Sequence, residues 1–478
     1  MNKISRFLKK VIYAIGANLL SLIVSVLTTL IVPKFFGNDV KQFGYFQIYL
    51  FYTSYIGFFH LGWCDGILLR DGGKKYSELN KALYSAQFWL ITVLQFIISF
   101  VIIIYGYFFL NSQEYIFICL TFAINIILFI PRTMLSYYLQ ATNRIKEYAS
   151  ITFVGRSFYG LSILAIVFLM PKNYHFFIWG DVLGKFFALL VSIWWCRDIV
   201  FSKPENLFIS FKEAIKNISV GIKLMFANIA SMLITGIIRF GIQQKWNVET
   251  YGKVSFTLSV SNLFLTFISA IAIVLYPTLR QTPRNELPRI YEKMRNCLMI
   301  PLFGLMIIYY PVEKVLSSWL PQYSENLKYM AILFPMCIYA ALMTLLIQTY
   351  MNVFRLEKNV LYINIFGLIF AFITTLISIY WLKNLTLAML SMVLNQMFRC
   401  ICAEIWLSKK LKVSLIKDIT LEVVLTSSFI CANWFIGKWK GLIVYTLVYS
   451  IYLLIKSKEI KCIVLFLKKN QKRMSDNL

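Results

Sequence analysis

Long apolar segments alternate with short polar loops along the whole chain, at the spacing of membrane-crossing helices. The pattern predicts fourteen spans. Six cover roughly 11–32, 43–63, 84–109, 115–136, 150–170 and 176–196. Six more cover roughly 219–243, 254–276, 298–318, 330–351, 361–382 and 386–407, and two follow at about 419–437 and 441–455. Each is near the ~20 residues that cross a ~30 Å hydrocarbon layer. The run from Val11 to Val32 is too long for a signal-peptide core and lacks a clear cleavage site, so it reads as the first span. Between spans six and seven, Arg197 to Ser219 reads as a short amphipathic helix along the membrane surface.

The pattern repeats internally. YLQATNRIKEYASITFVG from Tyr138 is echoed by YMNVFRLEKNVLYINIFG from Tyr350, pairing Tyr138 with Tyr350, Lys146 with Lys358, Ile151 with Ile363 and Gly155 with Gly367. A second echo pairs QFGYFQIYLFYTSYIGFF from Gln42 with TYGKVSFTLSVSNLFLTF from Thr250, Gly44 matching Gly252. The offsets, 212 and 208, imply one duplicated unit of six spans. Three regions follow: 1–200 with spans one to six, 201–410 with a linker helix and spans seven to twelve, and 411–478 with spans thirteen and fourteen and a basic tail. An even number of spans per unit makes the repeats parallel, related by an axis along the membrane normal. The expected fold is all-α and polytopic, two six-helix bundles around a central cleft plus two extra carboxy-terminal helices, which is a transporter layout.

Composition agrees: 59% of residues are hydrophobic, 17% aromatic and only 14% charged, against about 25% charged in soluble chains. The net charge of +27 is scattered over short loops, with no soluble basic domain, which excludes a nucleic-acid partner. It is a topology signal instead. About 35 of the 48 lysines and arginines fall on one side, including Arg70, Arg132, Arg144, Arg156, Arg280, Arg284, Arg295, Arg355 and the tail from Lys456. This bias places both termini in the cytoplasm. Nine cysteines are dispersed, and His60 and His175 are the only histidines, so no zinc pattern exists and no metal is expected. The outer loops are too short for a catalytic domain, and no phosphate-binding G-x-x-x-x-G-K-[ST] motif occurs. A transporter rather than an enzyme is expected, with no cofactor.

Charge inside the spans is the candidate chemistry, because a central Arg or Lys facing lipid costs roughly 2.5–3.5 kcal/mol and so faces a cavity or partner. Arg239 lies in the outer part of span seven, where snorkelling to the headgroups competes with a cavity role. Arg399 lies deeper, beside Asn395 and Gln396. Asp181 and Lys185 share one helical face; they either neutralise each other or bind a coupling ion or substrate. His60, Asp65 and Arg70 crowd the exit of span two, where Asp71-Gly72-Gly73 makes a turn. A cleft lined by Arg70, Arg156, Lys185, Arg239 and Arg399 would take an anionic, phosphate-bearing cargo; His60, Asp65 and Asp181 are the candidates for ion coupling.

Four stretches carry a resemblance: VPKFFGNDVKQFGYFQIY between spans one and two, HLGWCDGILLRDGGKK at the exit of span two, LQATNRIKEYASITFVGR between spans four and five, and YGKVSFTLSVSNLFLTFISAIAIVLYPTLRQ at span eight. In order and spacing they resemble the polysaccharide-transporter family, the Wzx-type O-antigen and capsule flippases of the multidrug/oligosaccharidyl-lipid/polysaccharide (MOP) exporter superfamily. The resemblance implies a fourteen-span alternating-access flippase in a bacterial cytoplasmic (inner) membrane, serving lipopolysaccharide or capsule synthesis. Its cargo would be an undecaprenyl-pyrophosphate-linked oligosaccharide, with proton or sodium countertransport and a polysaccharide polymerase or chain-length regulator as partner. The family's cleft cations map onto Arg70 and Arg156. The alternatives are a multidrug or peptidoglycan-precursor exporter of the same superfamily, and a membrane polymerase or glycosyltransferase.

Overall fold

A computed structural model of the protein describes residues 16, 18–272, 286–354 and 356–460. Lys3, Arg6, Arg280, Arg284, Arg355, the Tyr276–Pro277 end of span eight and the tail from residue 461 lie outside them. Among the described residues every regular element is helical, and eleven helices are long and apolar enough to cross a membrane. Packing divides the chain into two compact units, one comprising residues up to Ile229 with Asn247–Phe256, the other Ala230–Trp246 with the chain from Thr257. The expected region limits at 200 and 410 fall before the long seventh-span helix and at the end of the twelfth.

The first unit opens with α1 (Asn18–Phe36). Span two follows as two pieces, α2 (Val40–Thr53) and α3 (Trp63–Asp71). Between them lie a tight turn, Ile56–His60, and two left-handed residues, Leu61 (φ 55°) and Gly62 (φ 79°). Gly62 is required twice over: its φ disfavours a side chain, and a Cβ there would sit 2.7 Å from the Ile222 Cα. Irregular backbone at membrane depth survives only where its polar groups find partners. Here His60 Nδ1 accepts from the Gly62 amide at 3.0 Å, and Gln95 donates to the Phe59 carbonyl at 3.3 Å.

Next come α4 (Lys81–Phe109), α5 (Gln113–Ala141), α6 (Ile145–Leu169) and α7 (Tyr174–Trp195). Asn80 and Asn173 cap α4 and α7 through side-chain acceptors. The surface helix expected over Arg197 to Ser219 is not a separate element. A four-residue turn at Arg197–Val200 leads into α8, one continuous helix from Leu207 to Lys245. At 1.5 Å per residue α8 is about 58 Å long, almost twice the hydrocarbon thickness. One face of its first turns is held to α3: Arg70 pairs with Glu213 and Asn217, and the Asn217 amide donates to Gln87 at 2.9 Å.

The first turns of α9 (Val248–Ala272) also pack in this unit. Gly44 and Gly252, equivalent in the duplication, meet there. A Cβ on Gly252 would lie 2.9 Å from the Gly44 Cα, and one on Gly44 would lie 2.6 Å from Val248 Cγ1.

The second unit contains α10 (Leu287–Trp319), α11 (Met330–Val353), α12 (Lys358–Trp381), α13 (Leu385–Leu411), α14 (Ile416–Ile436) and α15 (Lys438–Ile455). α11 is buried along most of its length and forms the centre. The duplication recurs here in contacts. In the first unit Tyr84 meets Tyr138 edge-on with ring centroids 4.7 Å apart; in the second, Tyr291 meets Tyr350 edge-on at 4.9 Å. Gly155 on α6 seats α7 at Ala188, and Gly367 on α12 seats α13 at Arg399.

Candidate functional site

The first unit contains a partly open cavity of about 350 Å³, lined by α2, α5, α6 and α7. Helical spacing brings the wall together: Phe129 and Arg132 from α5, Thr152, Gly155, Arg156 and Tyr159 from α6, and Asp181, Gly184 and Lys185 from α7. Small residues set the approach of α6 to α7, since a Cβ on Gly184 would fall 2.7 Å from the Gly155 carbonyl oxygen. Pro131, inside α5, lacks the amide that would close the helix onto residue 127, beside the cavity wall.

Three cations face one acid. Asp181 is engaged on both sides, accepting from the Tyr49 hydroxyl at 2.5 Å and from Lys185 Nζ at 2.6 Å. Behind it Asn125 donates to Tyr49 Oη at 2.9 Å and to the Thr121 carbonyl at 2.7 Å, which fixes the tyrosine. Lys185 Nζ also lies 5.8 Å from the centre of the Tyr49 ring. Arg132 and Arg156 have no acid within ion-pairing distance among the described residues. Arg132 stacks on Phe129 at 4.8 Å, and its Nε–H is buried with no partner among the described residues. A buried donor left without an acceptor costs roughly 1–3 kcal/mol, so an anion in the cavity would recover it. With Asp181 ionised the wall carries a net +2, and the chemistry it offers is binding of an anion with two or more negative charges.

The structure brings Arg156, Lys185 and Asp181 together at this cavity. Arg70 lies elsewhere, paired with Glu213 and Asn217 at the junction of α3 and α8. His60 and Asp65 are buried beside the break in span two, with Nε2 and Oδ2 3.8 Å apart. Arg239 and Arg399 belong to the second unit. Arg239 is half-buried on α8; Arg399 is buried on α13 and donates from Nε to Asn364 Oδ1 at 2.8 Å.

The charge pattern counts Arg132 with the cytoplasmic cations, at the inner edge of a span expected over 115–136. The helix instead runs to Ala141, which places Arg132 inside it. Tyr49 and Asn125, which hold Asp181, carried no signal beyond being polar in apolar helices. Arg295 and Lys456 were likewise expected in cytoplasmic loops, yet both are buried in the second unit. Beyond the membrane segments, Asp198 joins the connection before α8 to the start of α4. Burial raises its carboxyl, but hydrogen bonds from Lys81 and Tyr76, each 2.7 Å, outweigh that and hold it below the ordinary carboxylate value.

No family model matches the sequence, and no curated protein does. Solved structures do match in fold. One is a multidrug resistance MATE family transporter of the MOP superfamily in an inward-facing conformation, with TM-score 0.63, 10% identity, and coverage of 81% of this chain and 94% of that one. Another is an outward-facing transporter of the same description, with TM-score 0.53, 13% identity, and coverage of 84% and 96%. The lipid II flippase MurJ, inward closed, gives TM-score 0.55 and 14% identity, covering 92% of this chain and 99% of that one. The chain has the fold of MOP superfamily transporters.

Proposed function

We propose that this protein is a membrane flippase for a lipid-linked, pyrophosphate-bearing oligosaccharide, of the O-antigen or capsule type. The observation that carries the reading is the excess of cations over acid in the cavity, with the Arg132 Nε–H buried and unpartnered. Arg132, Arg156 and Lys185 would hold the pyrophosphate. Of the neighbours in fold, MurJ is by name a lipid II flippase, so the architecture accommodates lipid-linked cargo. Asp181 is the coupling candidate in the cavity: an incoming anion competes with it for Lys185, and protonation of Asp181 would release the lysine. The chain would act in a bacterial inner membrane with both termini in the cytoplasm.

Two solved neighbours are named multidrug transporters, but a cavity with net positive charge repels organic cations, so export of cationic drugs is the weaker reading. The test is flipping of a fluorescent undecaprenyl-pyrophosphate oligosaccharide in proteoliposomes, read by reductant access. Protein-dependent flipping that Arg132→Ala and Arg156→Ala each slow about tenfold or more supports the proposal. Growth of the sugar chain without flipping would assign a polymerase instead. Flipping untouched by either substitution would remove the cavity from the mechanism.

A further inference from the structure

The second unit contains a charged cluster that the proposed transport site does not use. Arg295 on α10 is fully buried, as are Glu404 on α13 and Glu422 on α14. The guanidinium bridges the two carboxylates: Nη2 donates to Glu404 Oε2 and to Glu422 Oε2, both at 2.9 Å, Nη1 donates to Glu422 Oε1 at 2.7 Å, and Nε donates to Glu404 Oε1. Tyr291 Oη adds a hydrogen bond to Glu404 at 3.1 Å. Beside them Lys456, buried at the end of α15, donates to Asp418 Oδ1 at 2.7 Å and to Asn296 at 3.0 Å. Asp418 Oδ2 lies 3.8 Å from Arg295 Nη1, and its side chain keeps 17% of its exposure.

The other titratable groups facing the pair are Tyr291, Tyr339, Cys400 and Tyr452, all neutral at pH 7 by their ordinary values. Among the described residues the ionised count is therefore Arg295 and Lys456 against Glu404, Glu422 and Asp418, a net −1 within apolar helices. An uncompensated buried charge is costly, and two carboxylates that share one partner repel each other. A second observation points to the missing ligand. The Tyr452 hydroxyl is buried with no hydrogen-bond partner among the described residues, and it lies within electrostatic reach of Glu422, Arg295 and Asp418.

We propose that this cluster is a proton-binding site, in which Glu404 and Glu422 share one exchangeable proton. The step is simple: a hydronium ion from solvent gives its proton to one carboxylate oxygen, an O–H bond forms, water leaves, and the cluster passes from −1 to neutral. Asp418, the more exposed acid, is the entry point, and the Tyr452 hydroxyl is positioned to relay. A larger cation is disfavoured, because Arg295 already occupies all four glutamate oxygens. The site links α10, α13, α14 and α15, so its occupancy sets how firmly the last two helices are held. The inference does not rest on the function proposed above.

Infrared pH-difference spectra of the full chain in lipid nanodiscs test it. The expected result is a carboxylic-acid C=O band that disappears as pH rises, is lost in Glu404→Gln or Glu422→Gln, and persists in Asp181→Asn. No titrating band, or one unchanged in both glutamine variants, would overturn the assignment. If a glutamine variant fails to insert, Glu404→Asp and Glu422→Asp keep the carboxyl but move it. They are expected to shift the band, and a band at the wild-type position in both overturns the proposal.

Discussion

Arg132, Arg156 and Lys185 share a cavity with one acid, and they are not equivalent. Neither Arg132 nor Arg156 has an acid partner among the described residues, whereas Lys185 holds Asp181. A hydrogen bond to a charged group is worth about 1.5–3 kcal/mol, so on the proposed function Arg132→Ala and Arg156→Ala should each slow flipping about tenfold or more. Membrane levels should stay normal, and the proteoliposome assay checks the rate. Lys185→Ala should instead lower stability, because it strips a buried carboxylate of its cationic partner. Adding Asp181→Asn should restore much of the loss, and melting curves of the two single variants and the double variant measure the coupling. Outside the membrane, Asp198 is held below its unfolded value by Lys81 and Tyr76. A depressed carboxyl contributes stability that is present above the unfolded value of about 3.9 and is lost as pH falls through the folded one. Asp198→Asn should therefore flatten the acid limb of the stability profile; an unchanged limb would show that the clasp contributes nothing.

At the scale of elements, close glycine contacts decide which helices can touch. The meeting of Gly44 and Gly252 needs both residues bare, with only 2.9 Å available to a Cβ on Gly252. Overpacking of this kind typically costs about 1–3 kcal/mol, so Gly252→Val should lower the unfolding midpoint, and Gly44→Val should do so as well. Gly57, where a Cβ meets nothing within 4 Å, is the control, and Gly57→Ala should leave the midpoint in place. The helices themselves were legible. Apolar length and asparagine caps at Asn80, Asn173 and Asn384 mark their starts to within a few residues. What apolar length could not reveal was the break in span two, where His60 and Gly62 sit in what reads as one continuous run. Nor did it reveal the continuity of α8, since nothing between Leu207 and Lys245 stops a helix and a surface segment reads the same as the first turns of a long one.

For the molecule as a whole, charge is the unifying quantity. The net charge is +27, and the expected topology concentrates it on the cytoplasmic side. Each negative charge moved outward across ~100 mV gains about 2.3 kcal/mol. If the proposed function holds, an imposed interior-negative potential should therefore accelerate outward flipping of the anionic headgroup in proteoliposomes, and a rate indifferent to potential would mean that compensating cations cross with it.

The sequence by itself determined the all-helical, apolar character of the chain and the approximate places of most of its helices, because these follow from runs of apolar residues, and local echoes such as Tyr138 and Tyr350 carry the expectation of a duplication. Tertiary structure alone decided which charges share a site. Arg132 lies on α5, Arg156 on α6, and Asp181 and Lys185 on α7, and only the packing of these helices, closest at Gly155 and Gly184 between α6 and α7, brings them to one cavity. The same holds for Arg295, Glu404 and Glu422, more than a hundred residues apart between α10 and the later helices. Charge pairing across helices is set by rotation and register, and a linear pattern encodes neither.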